Sequence, residues 1–194
     1  MNTIIKTVSK IRVMIDIESL GLTAGSVITE IGAVACDQDF QEIAAFEDHL
    51  DVDRQVDLGL EICEKVHKWR NDNGLPYRMF DTHEPLAVLS ALNSWLRSLA
   101  YENELDVEKF EFWCQGTDFD RPLLDALYDS MGSTPPWKFY QWNDSRSVCK
   151  FVGVKRQGGV IHQALEDARQ QARAMQEAIQ KVRNVSVGPV AASA

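Results

Sequence analysis

Residues 11 to 18 read I-R-V-M-I-D-I-E, and no other segment constrains the fold as tightly. Ile11, Val13, Ile15 and Ile17 alternate with the period of a β-strand. The strand then ends in two carboxylates. Asp16 and Glu18 are two residues apart, so both point to the face opposite Ile15 and Ile17. Two neighbouring acids at the end of an apolar strand are costly unless something positive meets them. One solution is a solvent-exposed strand end paired with Lys or Arg. The other is a hard cation held by oxygen ligands, such as Mg²⁺ or Mn²⁺.

A strand this apolar needs a sheet around it. Val27 to Asp37 is a second β-rich run, and Glu42 to Leu50 supplies a third. Their short links suit an antiparallel meander. Ile62, Val66 and Trp69 then follow helical spacing, and a longer helix is predicted from Glu84 to Leu99, with Leu86, Leu89, Leu92, Leu96 and Leu99 on one stripe. Thr82 is the candidate N-cap, and Pro85 sits where a first turn tolerates proline. Lys109 to Cys114 reads as a buried strand, Arg121 to Met131 as a helix stopped by Gly132, Trp137 to Trp142 as a short strand and Ser145 to Val152 as a short helix. The last helix runs from Gln163 to Arg183, with Ala164, Ala168, Ala172, Met175, Ile179 and Val182 along one face. Its small residues permit close approach to a sheet. The expected architecture is α/β, a mixed five-stranded sheet flanked by helices. A single domain over residues 1–183 and a flexible tail over 184–194 complete the expected organisation.

The chain has 194 residues and a formal net charge of −9. Such a balance argues against coating duplex DNA by bulk charge, but is compatible with a nuclease that grips a strand locally and gathers carboxylates around metal ions. Cys36, Cys63, Cys114 and Cys149 are too irregularly spaced for a zinc site. Neither a signal peptide nor an apolar membrane-spanning run is visible, so a cytoplasmic location is expected, including the host cytoplasm for a phage protein.

Two further segments carry candidate chemistry. W-C-Q-G-T-D-F-D, at Trp113 to Asp120, closes the fourth strand and leads into a helix. Ligands gather at the carboxyl ends of parallel strands, so Asp120 can reach the rim that holds Asp16. Alternatively, Asp118 or Asp120 only caps the following helix. H-Q-A-L-E-D-A, at His162 to Ala168, opens the last long helix. His162 and Asp167 differ by roughly 140° on a continuous helix. They converge only if His162 belongs to the preceding loop, where Gly158 and Gly159 supply freedom. Otherwise His162 is a surface loop residue and Asp167 half of an exposed ion pair.

Taken in order, D-x-E, F-D and H-x-x-x-x-D resemble the motifs of the DEDDh 3′–5′ exonucleases, the DnaQ-like branch of the ribonuclease H-like superfamily. D-I-E-S-L-G-L at Asp16 to Leu22 is similar to that family's first motif. F-W-C-Q-G-T-D-F-D, and W-N-D-S-R-S at Trp142 to Ser147, look like the phage DexA-type and exonuclease VIII-like subgroup. Cys114 and Gln115 depart from it, standing where relatives often place Gly or Asn.

The resemblance covers about Arg12 to Val182. It implies a ribonuclease H-like sheet, an antiparallel three-strand meander plus two parallel strands. It also implies that Asp16, Glu18, Asp120 and Asp167 hold two Mg²⁺ or Mn²⁺ ions and that neutral His162 acts as general base. The implied reaction releases nucleoside 5′-monophosphates from the 3′ end of single-stranded nucleic acid, with DNA favoured. The alternatives are an exoribonuclease or a non-catalytic nucleic-acid-binding module on the same fold.

The resemblance further implies that Ser19 and Leu20 meet the terminal nucleotide; Leu20 is otherwise an ordinary turn hydrophobe. Trp69, between Lys68 and Arg70, either stacks a base or packs in the core with Ile62 and Val66. Arg146 contacts a phosphate or pairs with Asp144 or Asp118. His49, His67 and His83 match no ligand spacing and are expected at the surface.

Overall fold

The structure is a computed structural model describing residues 8–158 and 162–186, and within that range only the backbone of 185 and 186. Five strands, β1 (Arg12–Ser19), β2 (Ile28–Cys36), β3 (Glu42–His49), β4 (Glu111–Cys114) and β5 (Trp142–Asp144), form one sheet in the order β3-β2-β1-β4-β5. β1, β2 and β3 pair antiparallel, while β4 and β5 continue from β1 in parallel. This is the mixed ribonuclease H-like sheet implied by the motifs. The helices are α1 (Val52–Asp57), α2 (Glu64–Asp72), α3 (Pro85–Glu102), α4 (Asp120–Ser130), α5 (Ser145–Val152) and α6 (Ala164–Ser186).

The alternation of β1 divides the molecule. Ile11, Val13, Ile15 and Ile17 are buried in a core with Val88, Leu89, Leu92, Leu96 and Leu99 of α3 and Leu123, Leu124 and Leu127 of α4. Met14 belongs to a second core with Val34 and Cys36 of β2 and Leu165, Ala168, Ala172 and Met175 of α6. Asp16 and Glu18 share the parity of Met14 and therefore face the α6 side. All nine residues of β2 are buried, as expected of a strand covered on both faces.

Gly32 sets how close α6 comes. It lies opposite Asp16 in the β1–β2 register. A Cβ at Gly32 would stand 2.1 Å from the Leu165 nitrogen and 2.3 Å from the Ala164 carbonyl carbon. Only glycine therefore lets the first turn of α6 rest on the sheet beside Asp16. One register step along β2, the Glu30 Oε1 accepts the Ala164 N–H at 2.8 Å. A strand side chain thus caps this helix, satisfying a donor that has no partner within it.

Several local expectations need correction. Thr82 does not cap α3: Glu84 holds the N-cap position without a side-chain bond, and the helix runs on to Glu102. Trp137 to Trp142 is not a strand. A 3₁₀ turn covers Phe139–Gln141, and β5 begins at Trp142. The aromatic density there comes from Trp137 packing edge-on against Phe112, Tyr128 and Trp142 at the end of the sheet. The N-cap position of α4 is Phe119, so neither Asp118 nor Asp120 acts as the cap; Asp120 is the first helical residue. α1 gave no sequence signal; its buried Gln55 brackets the Ile28 N–H and carbonyl at 2.9 and 2.7 Å. α6 continues to Ser186, and the tail beyond it and Gly159 lie outside the described residues. Among the described residues, no helix is long and apolar enough to cross a membrane.

Candidate active site

Three elements deliver four carboxylates to one cavity of about 520 Å³. β1 ends with Asp16 and Glu18, α4 opens with Asp120, and the first turn of α6 carries Asp167. Each follows from chain direction. The carboxyl ends of β1 and β4 open onto the same rim, α4 starts soon after β4, and the contact at Gly32 brings Asp167 over that rim. Asp16, Glu18 and Asp167 each present an oxygen within 4.8 Å of the other two.

Concentrating these acids has electrostatic consequences. Asp16 is held well above the ordinary carboxylate range by burial, reinforced by the charges of Asp120, Asp167 and Glu18. Burial likewise pushes Asp120 up to about 7, against the opposing effect of backbone N–H groups and the Cys114 thiol. The other two acids are held differently. Glu18 Oε2 accepts from the Arg70 Nη1 at 2.5 Å, with both side chains buried. Asp167 Oδ1 accepts from the Arg156 Nη2, while its Oδ2 accepts the His162 backbone N–H at 2.9 Å. The Gln171 amide, one turn beyond Asp167 on α6, donates to Asp16 Oδ1 at 2.6 Å.

His162 precedes α6, as convergence with Asp167 requires. Its φ of 58° lies in the left-handed region, which histidine enters more readily than most residues. That turn aims its Nδ1 at Glu18, 3.6 Å from Oε1. The Trp69 ring meets the imidazole edge-on with centroids 5.5 Å apart.

Trp69 therefore does not pack in the core. It is 48% exposed and lines the cavity, as does Val66, while Ile62 is exposed. The buried residue of α2 is instead Arg70. The periodicity misleads here because α2 covers the cavity rather than the sheet, so its inward face meets acids. Ser19 lines the cavity, with its hydroxyl donating to the Gly21 carbonyl at 2.7 Å. The Leu20 side chain is fully buried in the α3-side core, and Leu22, 68% exposed, takes the place at the cavity that the motif suggested for Leu20. Arg146 lines the cavity and donates to the Gln115 carbonyl at 2.7 Å; Asp144 instead caps α5 by accepting the Arg146 backbone N–H. His49 is largely covered, 3.9 Å from Glu30.

Arg70, Arg156 and Gln171 belong to no motif, and Gln115 stands out in the sequence only as a departure from the family pattern. Only Gln171 had a usable signal, its spacing of four from Asp167. The donor set fits divalent cations: every candidate ligand is a hard carboxylate oxygen, and ionising all four together requires compensating positive charge.

Residues 11–179 match the Rv2179c-like 3′–5′ exoribonuclease domain family. The chain belongs to that family. It is a 3′–5′ exonuclease. No protein of curated function matches the sequence. Among solved structures, the nuclease domain of 3′hExo, a DEDDh family member bound to rAMP, superposes with a TM-score of 0.59 at 15% identity, covering 88% of this chain and 92% of that one. Pop2p of S. pombe in its Mg²⁺- and Mn²⁺-bound form gives 0.56 at 14% identity, with 91% and 85% covered. The zinc-bound E. coli ExoI–ssDNA complex gives 0.58 at 12% identity; 91% of this chain is covered but only 42% of the E. coli chain. At these identities the neighbours establish a shared fold.

Proposed function

We propose that this exonuclease removes nucleoside 5′-monophosphates from the 3′ end of single-stranded RNA. The observation that carries the reading is the meeting of Asp16, Glu18, Asp120, Asp167 and His162 in one cavity. The family description, an exoribonuclease domain, supports RNA over the DNA expected from sequence. The segments at Trp113 to Asp120 and Trp142 to Ser147 support kinship with the DexA-type subgroup within the DEDDh fold.

In this reading Asp16, Glu18, Asp120 and Asp167 hold two Mg²⁺ or Mn²⁺ ions, which supply a lowered water pKa and stabilisation of the departing 3′ oxygen. The protein's own groups do the rest. His162 accepts the proton of the attacking water through an imidazole nitrogen. Glu18, beside its Nδ1, favours the imidazolium that forms. The left-handed turn at His162, fixed by Asp167, keeps the ring from swinging into solvent. Trp69 and Phe119 offer apolar faces at the cavity for the terminal base, and Leu22 shields the same rim. Arg146 is placed to meet a non-bridging phosphate oxygen.

The test is to incubate 5′-labelled single-stranded RNA, single-stranded DNA and duplexes with Mg²⁺, Mn²⁺ or EDTA. Shortening of single-stranded RNA from the 3′ end, metal-dependent and faster than that of DNA, is expected. Faster shortening of DNA refutes the substrate assignment, and hydrolysis that persists in EDTA refutes the metal assignment.

A further inference from the structure

A second hollow of about 360 Å³ adjoins the acid cavity, between α5 and α6. The two share Gln115, Arg146, Arg156 and Gln171 as a common wall. Their charge balance differs. The first sets its four acids against Lys65, Arg70, Arg146 and Arg156, whereas Arg146, Lys150, Lys155 and Arg156 line the second, and no carboxylate does among the described residues. In a chain of net charge −9, four cations around one groove are a local inversion of the protein's field. Lys150 and Lys155 are exposed. Asp144 and Glu177 are felt at Cys149 on the groove wall, and Asp167 pairs with Arg156 from the side of the acid cavity. Asp144 is already engaged by the Arg146 N–H and the Ser147 hydroxyl.

The local sequence explains the groove. Arg146, Cys149, Lys150 and Gly153 recur at the spacing of one helical face. Gly153, at φ 72°, ends α5 in a left-handed cap and turns the chain back along α6, so Lys155 and Arg156 return beside that face. Gln115 ties the wall together: its carbonyl accepts from Arg146 at 2.7 Å and its side-chain oxygen from Arg156 at 3.4 Å. A strand whose 3′ end lies among the acids must leave the cavity somewhere, and α2 closes the side of Trp69 and Arg70. The exit flanked by two guanidiniums leads into a groove with cations on its rim and Cys149, Val154 and Ala174 along it.

We infer that this groove binds the phosphodiester backbone of the nucleotides on the 5′ side of the scissile bond, so that the enzyme grips a strand of several nucleotides rather than only its end. The inference rests on the exonuclease reading for the direction of the strand. Arg146 and Arg156 stand at the entrance, and Lys150 and Lys155 take the next phosphates. Gripping by backbone charge makes the groove indifferent to base sequence.

The experiment compares the unmodified protein with Lys150→Glu/Lys155→Glu and with Lys150→Gln/Lys155→Gln. Hydrolysis is measured on a ribodinucleotide, which fits the acid cavity alone, and on a ribohexamer. Binding of a labelled hexamer is followed separately in EDTA across a salt series. In kcat/KM, the charge-reversed pair loses about tenfold more on the hexamer than on the dinucleotide. The neutral pair lowers the slope of log Kd against log salt by about 1.4, two single-strand phosphate contacts. Equal losses on both substrates, or an unchanged salt slope, overturn the groove assignment. If the unmodified protein cleaves neither substrate, the exonuclease reading falls, while the salt series in EDTA still decides whether the groove binds a strand.

Discussion

The two halves of the acid cavity solve the same problem in different ways. Glu18 and Asp167 lie against guanidiniums brought in by α2 and by the loop before α6. Asp16 and Asp120 receive neutral donors instead, and burial raises both above the ordinary carboxylate range. A cation entering this cavity therefore does two kinds of work: it displaces protons from one half and competes with arginines in the other. The arrangement resists collapse without metal and still presents four oxygens when metal arrives. Charge balance in a buried site need not be achieved uniformly.

The sharpest way to break the comparison is Asp16→Asn. It removes a candidate ligand from the protonated half without changing its size. Hydrolysis is expected to fall at least about 10³-fold, roughly 4 kcal/mol of transition-state stabilisation. In EDTA at pH 8 the same variant is expected to melt at a higher temperature than the unmodified protein, because burial and the neighbouring acids disfavour the ionised carboxylate at this position. A lower melting temperature would mean that Asp16 does not carry the excess repulsion.

Arg70→Gln probes the other half and should act in the opposite sense. It leaves the buried Glu18 without its guanidinium, at a cost of about 3 kcal/mol in EDTA. Saturating Mn²⁺ should recover most of that loss, because the cation takes over the pairing. Chemical denaturation with and without metal measures both numbers, and a loss indifferent to Mn²⁺ would separate Arg70 from the ligand set.

The smallest effect is a pH dependence. Burial pushes the Glu30 carboxyl up to about 7, only partly offset by its bond to the Ala164 N–H, and Asp120 lies near the same value. Both bind their proton more tightly folded than unfolded. Their contribution is thus fully present below about pH 4 and is lost as pH rises through about 7. In EDTA the melting temperature should fall across that interval, and Glu30→Gln, which keeps the acceptor oxygen, should flatten the fall. An unchanged slope in the variant would remove Glu30 from the set of titrating groups.

The make-up of the mixed sheet and the meeting of the four acids in one cavity were legible from local periodicity and from motifs that resemble a known family. A two-residue period fixes which way Asp16 and Glu18 point, and short motifs mark Asp120 and Asp167. What escaped was written at long range. Arg70 was overlooked because a buried arginine on a helix looks like any charged residue until the acid it meets is known, 52 positions away. Leu22 rather than Leu20 reaches the cavity, where the β1–β2 register shifts between Glu18 and Ser19, a shift that the residues themselves do not announce. Gly32 carries no local signal, since the helix that needs its missing methyl comes more than 130 residues later.

That separation has a consequence for when the enzyme can act. Glu30 meets Ala164, and Asp16 meets Gln171, across 134 and 155 residues. A nascent chain still lacking α6 can pair its strands, yet it has neither Asp167 nor the histidine. Under the proposed function, synthesis itself acts as a safety catch: the nuclease stays unarmed until α6 has emerged and docked.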